Sequence, residues 1–125
     1  KLVEDSLFVS EIYSLDINAD VALILGCGTG DGKVQPGEGS MSLAYAFAFA
    51  GAKSVMATHW SVQEGPAADL VTGFFREASQ GEMTDIALAS SKRAFLRSAD
   101  NYWCLPYFWA GFYLFGDTRM PLVPR

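Results

Sequence analysis

The sequence predicts an α/β fold, and three observations carry that expectation. Val21–Leu25 is a continuous apolar run with no alternation, the pattern of a strand covered on both faces. An apolar helical segment and a second short strand-like run, Ser54–Thr58, follow it, so strand, helix and strand come in the order of a right-handed parallel crossover. Two segments of helical periodicity then separate that run from a last, aromatic one.

The elements follow in order. Leu2-Val3 and Leu7-Phe8-Val9 flank the turn-like Glu4-Asp5-Ser6, which fits a short strand or hairpin. Ser10-Glu11 starts a short helix through Leu15, with Ile12 and Leu15 three apart on one face. Asn18-Ala19-Asp20 reads as a turn into the Val21–Leu25 strand. Ser40 is a natural cap for a helix from Met41 to Ala50, and Gly51 stands where helices end in the left-handed conformation. This helix is apolar almost all round and should be buried on every side. Ala67, Leu70, Val71, Phe74, Phe75 and Ala78 repeat with helical spacing behind Pro66, and Gly81 closes that helix. Thr84-Asp85 opens a further helix to about Ser98, with Ile86, Ala87, Ala94 and Phe95 expected in the core. Tyr107–Phe115 reads as the final strand, closed by Gly116-Asp117.

Composition narrows the function. Hydrophobic residues make up 50% of the 125, so one packed domain is expected and disorder is not. A net charge of −5 and scattered Lys and Arg leave no basic patch for nucleic acid. Lys92, Arg93 and Arg97 read as one solvated helix face. Two cysteines, Cys27 and Cys104, in unlike surroundings make no disulfide framework, which implies a reducing, cytoplasmic setting. No run approaches the ~20 apolar residues of a membrane span, the nearest being Met41–Ala52, and no signal peptide is read at the start. Leu122-Val-Pro-Arg125 matches what thrombin leaves after cutting a tag and is set apart from residues 1–121.

The chemistry points to Cys27. It follows a buried parallel strand in Gly26-Cys27-Gly28-Thr29-Gly30-Asp31-Gly32, where four glycines permit a tight turn. Sites in open α/β sheets form outside the carboxyl ends of strands. Such a turn offers a thiolate to add to an amide carbonyl and backbone N–H groups to hold the oxyanion. Read from the residues alone, a small buried side chain at a strand end is the competing account. The glycine spacing fits neither G-x-G-x-x-G nor a P-loop with its Lys-Ser/Thr, which argues against a nucleotide site.

Four ordered motifs resemble bacterial caspase-like cysteine protease domains of the CHAT type. Asp20-Val-Ala-Leu-Ile-Leu-Gly-Cys-Gly-Thr-Gly30 is similar to that family's strand and nucleophile loop, with Gly26 for Ala and Gly28 for Glu. Gly37-Glu38-Gly39, then Ala44, Ala46, Phe47 and Ala50-Gly51-Ala52, resemble its Gly-Glu-Gly and following helix. Ser54-Val55 and Trp60-Ser61-Val62 resemble its second strand and Trp-Pro-Val, with Ser61 for Pro. Pro106-Tyr-Phe-Trp-Ala-Gly-Phe112 resembles its Pro-Tyr-Tyr-Trp-Ala-Ala-Phe, with Gly111 for Ala.

The resemblance implies a caspase-like, separase-like fold on a mostly parallel sheet, with 1–121 as the C-terminal part of the domain. It implies a Cys–His dyad with Cys27 as nucleophile and oxyanion-hole N–H donor, and no cofactor or metal. The family's histidine belongs to a segment N-terminal to this stretch, so the expected partners are that segment, a protein or peptide substrate, and repeat or regulatory domains in the longer protein. His59, the one histidine, aligns with a usually apolar position and does not match the dyad residue. Thr58, His59, Trp60 and Ser61 are expected to line the peptide as it pairs with this segment. Leu25 and Gly26 are expected beside the P1 side chain, and Leu25 favours a neutral one. Cys104 is read as structural. The alternative is an inactive caspase-like interaction module.

Overall fold

A computed structural model describes residues 9–25, 39–119 and 121–122. Its elements are α1 (Val9–Ile12), β1 (Ala19–Ile24), α2 (Gly39–Ala50), β2 (Ala52–Thr58), α3 (Glu64–Ser79), α4 (Thr84–Ser98), a 3-10 turn (Pro106–Phe108) and β3 (Phe112–Gly116). The strands form one sheet in the order β1-β2-β3. β1 and β2 are parallel, with Val21 opposite Ser54 and Ile24 opposite Ala57, and α2 crosses between them as the sequence predicts. β3 returns antiparallel to β2, with Met56 opposite Leu114 and Thr58 opposite Phe112, so the sheet is mixed. The chain is α/β, with helices on both faces of this sheet.

Strand alternation divides the core. On one face Met56 and Phe112 meet Leu70 and Phe74 of α3 and Ala87 and Leu88 of α4. Met56, Leu70 and Phe74 are at most 1% exposed, and burying each such side chain is worth about 1.5–3 kcal/mol. Ser91 donates to the Leu70 carbonyl at 2.7 Å, satisfying a hydroxyl buried between α3 and α4. Leu122 packs against the same cluster, and Pro121 bridges to Met83, so this tail segment takes part in the fold. On the other face Ala44 of α2 packs on Val55 and Ala52, with Ala22, Ile24 and Phe115 around them. α1 closes one end, where Ile12 meets Ala46 and Ala50.

Several local expectations give way to tertiary context. α1 stops at Ile12, and Leu15 is exposed. Ala19 and Asp20 belong to β1 rather than to a turn, because Ala19 pairs with Ala52 as β2 begins. Helix α2 starts at Gly39, ahead of the Ser40 cap. The aromatic run is only partly a strand: Pro106 opens a 3-10 turn, and β3 begins at Phe112. β1 is not covered on both faces among the described residues, since Leu23 is 39% and Leu25 41% exposed. Nor is α2 buried all round: Tyr45 and Phe49 face outward, Phe49 against Tyr13 with ring centres 5.2 Å apart. Phe75, Ile86 and Ala94 lie on the outer sides of their helices. Lys92 leaves the solvated face expected for it, and Nζ donates to the Phe112 carbonyl at 2.8 Å. The predicted hairpin at residues 2–9 falls almost wholly outside the described residues.

Candidate functional site

Two parallel strands deliver their carboxyl ends to one edge of the molecule. With Ile24 opposite Ala57, the residue after each strand pair is Leu25 on one side and Thr58 on the other. Gly26 and Cys27 lie outside the described residues. Leu25 shares an open groove of about 670 Å³ with Val62 and with Glu64, Ala67, Ala68, Val71 and Thr72 of α3. The groove is mostly apolar because α3 turns small and branched side chains toward the strand end.

From Thr58 the chain leaves the sheet and its side chains diverge. Thr58 is 1% exposed, and its hydroxyl has no hydrogen-bond partner among the described residues. His59 extends the ladder by one bond, its N–H donating to the Gly111 carbonyl at 2.9 Å. Its imidazole stacks on Tyr113, with ring centres 4.2 Å apart and planes 25° from parallel. Trp60, its ring centre 6.4 Å from that of His59, takes other partners. Its indole lies over Gly111 and donates from Nε1 to the Tyr107 carbonyl at 2.9 Å. The Trp60 and Tyr107 rings are within 11° of parallel, 6.4 Å apart. Ser61 is exposed beside them. The structure therefore brings Leu25, Thr58, His59, Trp60 and Ser61 to one end of the sheet.

Sequence reasoning missed the residues that hold this segment: Tyr107, Gly111 and Tyr113. The available signal was a proline opening a turn and a glycine among aromatics just ahead of a strand. Cys104 lies in the preceding loop, half-buried, with Sγ donating to the Asn101 carbonyl at 3.3 Å. Its own carbonyl accepts from Trp109 Nε1 at 2.9 Å. The described residues contain no group of three His, Cys, Asp or Glu side chains arranged to hold a metal. None of the described helices is long and apolar enough to cross a membrane.

A helix-flanked, partly parallel three-stranded sheet is consistent with part of a caspase-like α/β fold. The family comparison makes this specific: the model of the CHAT domain matches residues 3–117, and the chain belongs to that family, which is caspase-like and related to proteases. No curated protein and no solved structure matches the chain.

Proposed function

We propose that this chain carries the nucleophile of a cysteine endopeptidase, with Cys27 as that nucleophile. The observation that carries the reading is the parallel register of β1 and β2. Cys27 follows Leu25 by two residues in the sequence, and Leu25 lies beside the start of the Thr58–Ser61 segment. A peptide laid along that segment as an added strand brings its carbonyl to the strand end. The thiolate adds to the carbonyl carbon while the Cys27 N–H stabilises the oxyanion. An imidazole takes the thiol proton and returns it to the leaving amine. Water then hydrolyses the thioester and restores the thiol. Leu25 places no charge beside the P1 side chain, which suits a neutral one, and the carboxylate of the groove, Glu64, stands at the start of α3.

The imidazole comes from an N-terminal segment of the same domain. Two observations support this: His59 is the one histidine of the chain and is stacked on Tyr113, and β1 has no strand on its outer side among the described residues. The isolated chain is then inactive, and the whole domain acts in a reducing, cytoplasmic setting. The single histidine also favours a second reading, an inactive module that binds partners through the same edge.

The test uses the protein with its N-terminal segment. Cys27→Ala should abolish peptide cleavage, while Cys104→Ala and His59→Ala leave most of it. Dependence on Cys104 would move the nucleophile. A loss of ~10³-fold in kcat for His59→Ala, with folding preserved, would make His59 the base. Cleavage that survives Cys27→Ala would rule out Cys27 as the nucleophile, and a wild type that cleaves nothing would leave the module reading.

A further inference from the structure

Among the described residues the buried polar side chains are Ser54, Thr58, Thr84 and Ser91. Two of them donate to a backbone carbonyl: Ser91 to that of Leu70 at 2.7 Å, and Ser54, reaching from β2 across to β1, to that of Asp20 at 3.3 Å. Thr58 and Thr84 have no partner among the described residues. They stand at opposite ends of the sheet. Thr84 opens α4, whose Asp85 N–H donates to the Thr118 carbonyl just beyond β3 at 2.8 Å, and β3 ends opposite Ser54. Thr58 closes β2 four residues after Ser54, on the same face of the strand. With Ile24 opposite Ala57, it is level with Leu25. The carbonyls on its other side are committed, that of Gly111 to the His59 N–H at 2.9 Å and that of Phe112 to the Lys92 ammonium at 2.8 Å.

We propose that Thr58 is a positioning residue whose hydroxyl bonds to the backbone of Gly26-Cys27-Gly28 and so holds the nucleophile at the strand end. This rests on the endopeptidase reading above. A buried hydroxyl left unpaired is costly, and a β-branched side chain in a strand has few rotamers with which to seek a partner elsewhere. On the β1 side the chain continues from Leu25 into Gly26 and Cys27, and a glycine on each side of Cys27 leaves that backbone open to a hydroxyl. At 1% exposure the Thr58 side chain does not reach a bound peptide, so it acts through Cys27 and not on the substrate. Backbone N–H groups held beside the sulfur favour the thiolate, and a fixed Cys27 N–H keeps its aim at the oxyanion. Without the hydroxyl both gains fall together.

The experiment uses the protein carrying its N-terminal segment. Alkylation of Cys27 by iodoacetamide is followed against pH by mass spectrometry of the Cys27 peptide, beside steady-state cleavage of a peptide substrate. Thr58→Val keeps the shape of the side chain and removes the hydroxyl. It should move the midpoint of the alkylation profile up by about one pH unit and lower kcat about tenfold with KM unchanged. Thr58→Ser, which keeps the hydroxyl, should return both toward the wild type. Thr84→Val, which removes the other unpartnered hydroxyl at the far end of the sheet, should change neither. If Thr58→Val does not fold, Thr58→Ala carries the same test. An unshifted profile, an equal shift in Thr84→Val, or a loss in Thr58→Ser as large as in Thr58→Val overturns the role of Thr58 while Cys27-dependent cleavage stands. Cleavage that survives Cys27→Ala overturns the endopeptidase reading of Cys27 and the positioning role with it.

Discussion

The two edges of the sheet are built differently. At β3 the outward-facing Phe112 carbonyl is taken by the Lys92 ammonium at 2.8 Å, and Leu88 of α4 shares a core cluster with Phe112 and Leu114. A lysine bonded across a strand edge blocks the pairing of another strand there. At β1 the described residues show no such device. Leu23 and Leu25, about two-fifths exposed, flank the edge instead, and the one ion pair there, Lys53 to Asp20 at 3.4 Å, is solvent-exposed and worth ~0–1 kcal/mol. One edge is finished and the other is fit to be continued. That contrast supports an N-terminal segment joining at β1.

The largest expected effect tests the frame on which β1 hangs. Gly51 has φ +128°, and a Cβ there would overlap the Ile17 carbonyl oxygen. The Ile17 N–H donates to the Ala50 carbonyl at 2.7 Å, so the approach to β1 is pinned to the end of α2. Gly51→Ala should cost about 3 kcal/mol or more in denaturant unfolding, combining backbone strain with displacement of β1. A cost under ~1 kcal/mol would show that β1 does not depend on this turn.

Next comes the open edge. Expressed without its N-terminal segment, the chain should self-associate through β1, read by light scattering after size exclusion. Leu23→Lys should weaken that association about 30-fold, the worth of one buried leucine at ~2 kcal/mol, while leaving the melting temperature of the monomer nearly unchanged. A chain that is monomeric at high concentration without the substitution would remove the distinction between the edges.

The finished edge should respond less. Lys92→Met removes one charged hydrogen bond but also one desolvated charge, so the net loss should be about 1 kcal/mol or less. The smallest effect is its pH dependence. Burial lowers the Lys92 pKa from its ordinary value. The unfolded chain therefore holds this proton more tightly than the folded one, and the cost of charging Lys92 in the fold is relieved as pH rises through the lowered value toward ~10.4. Stability of the wild type relative to Lys92→Met should rise with alkaline pH across that window in thermal melts. A flat difference would mean that Lys92 is solvated and the β3 edge unguarded.

Much of the core was legible because it is written in local period. Leu70, Phe74 and Ala78 recur at helical spacing, and that alone predicts which face of α3 is buried. The α2 crossover was legible for a related reason: parallel strands need a long connection, and Gly51 marks where it ends. The same logic misjudged Phe75, Ile86 and Ala94, whose positions at the margin of an apolar stripe are settled by how far the neighbouring element reaches. For the candidate site, the residue types around the strand ends could be named in advance, but not what holds them. Trp60 meets the carbonyl of a residue 47 positions away, and no periodicity encodes a contact across such a separation.

The sequence by itself determined the order of strand, helix and strand, the buried stripe of α3, and the family, since these follow from near neighbours and from short motifs. Only the tertiary structure decided that β3 runs antiparallel, that Lys92 seals its edge, and that Trp60 rests on Gly111. Those depend on which distant backbone groups need a partner once the sheet has formed, and a buried donor or acceptor takes whatever partner the fold brings within reach.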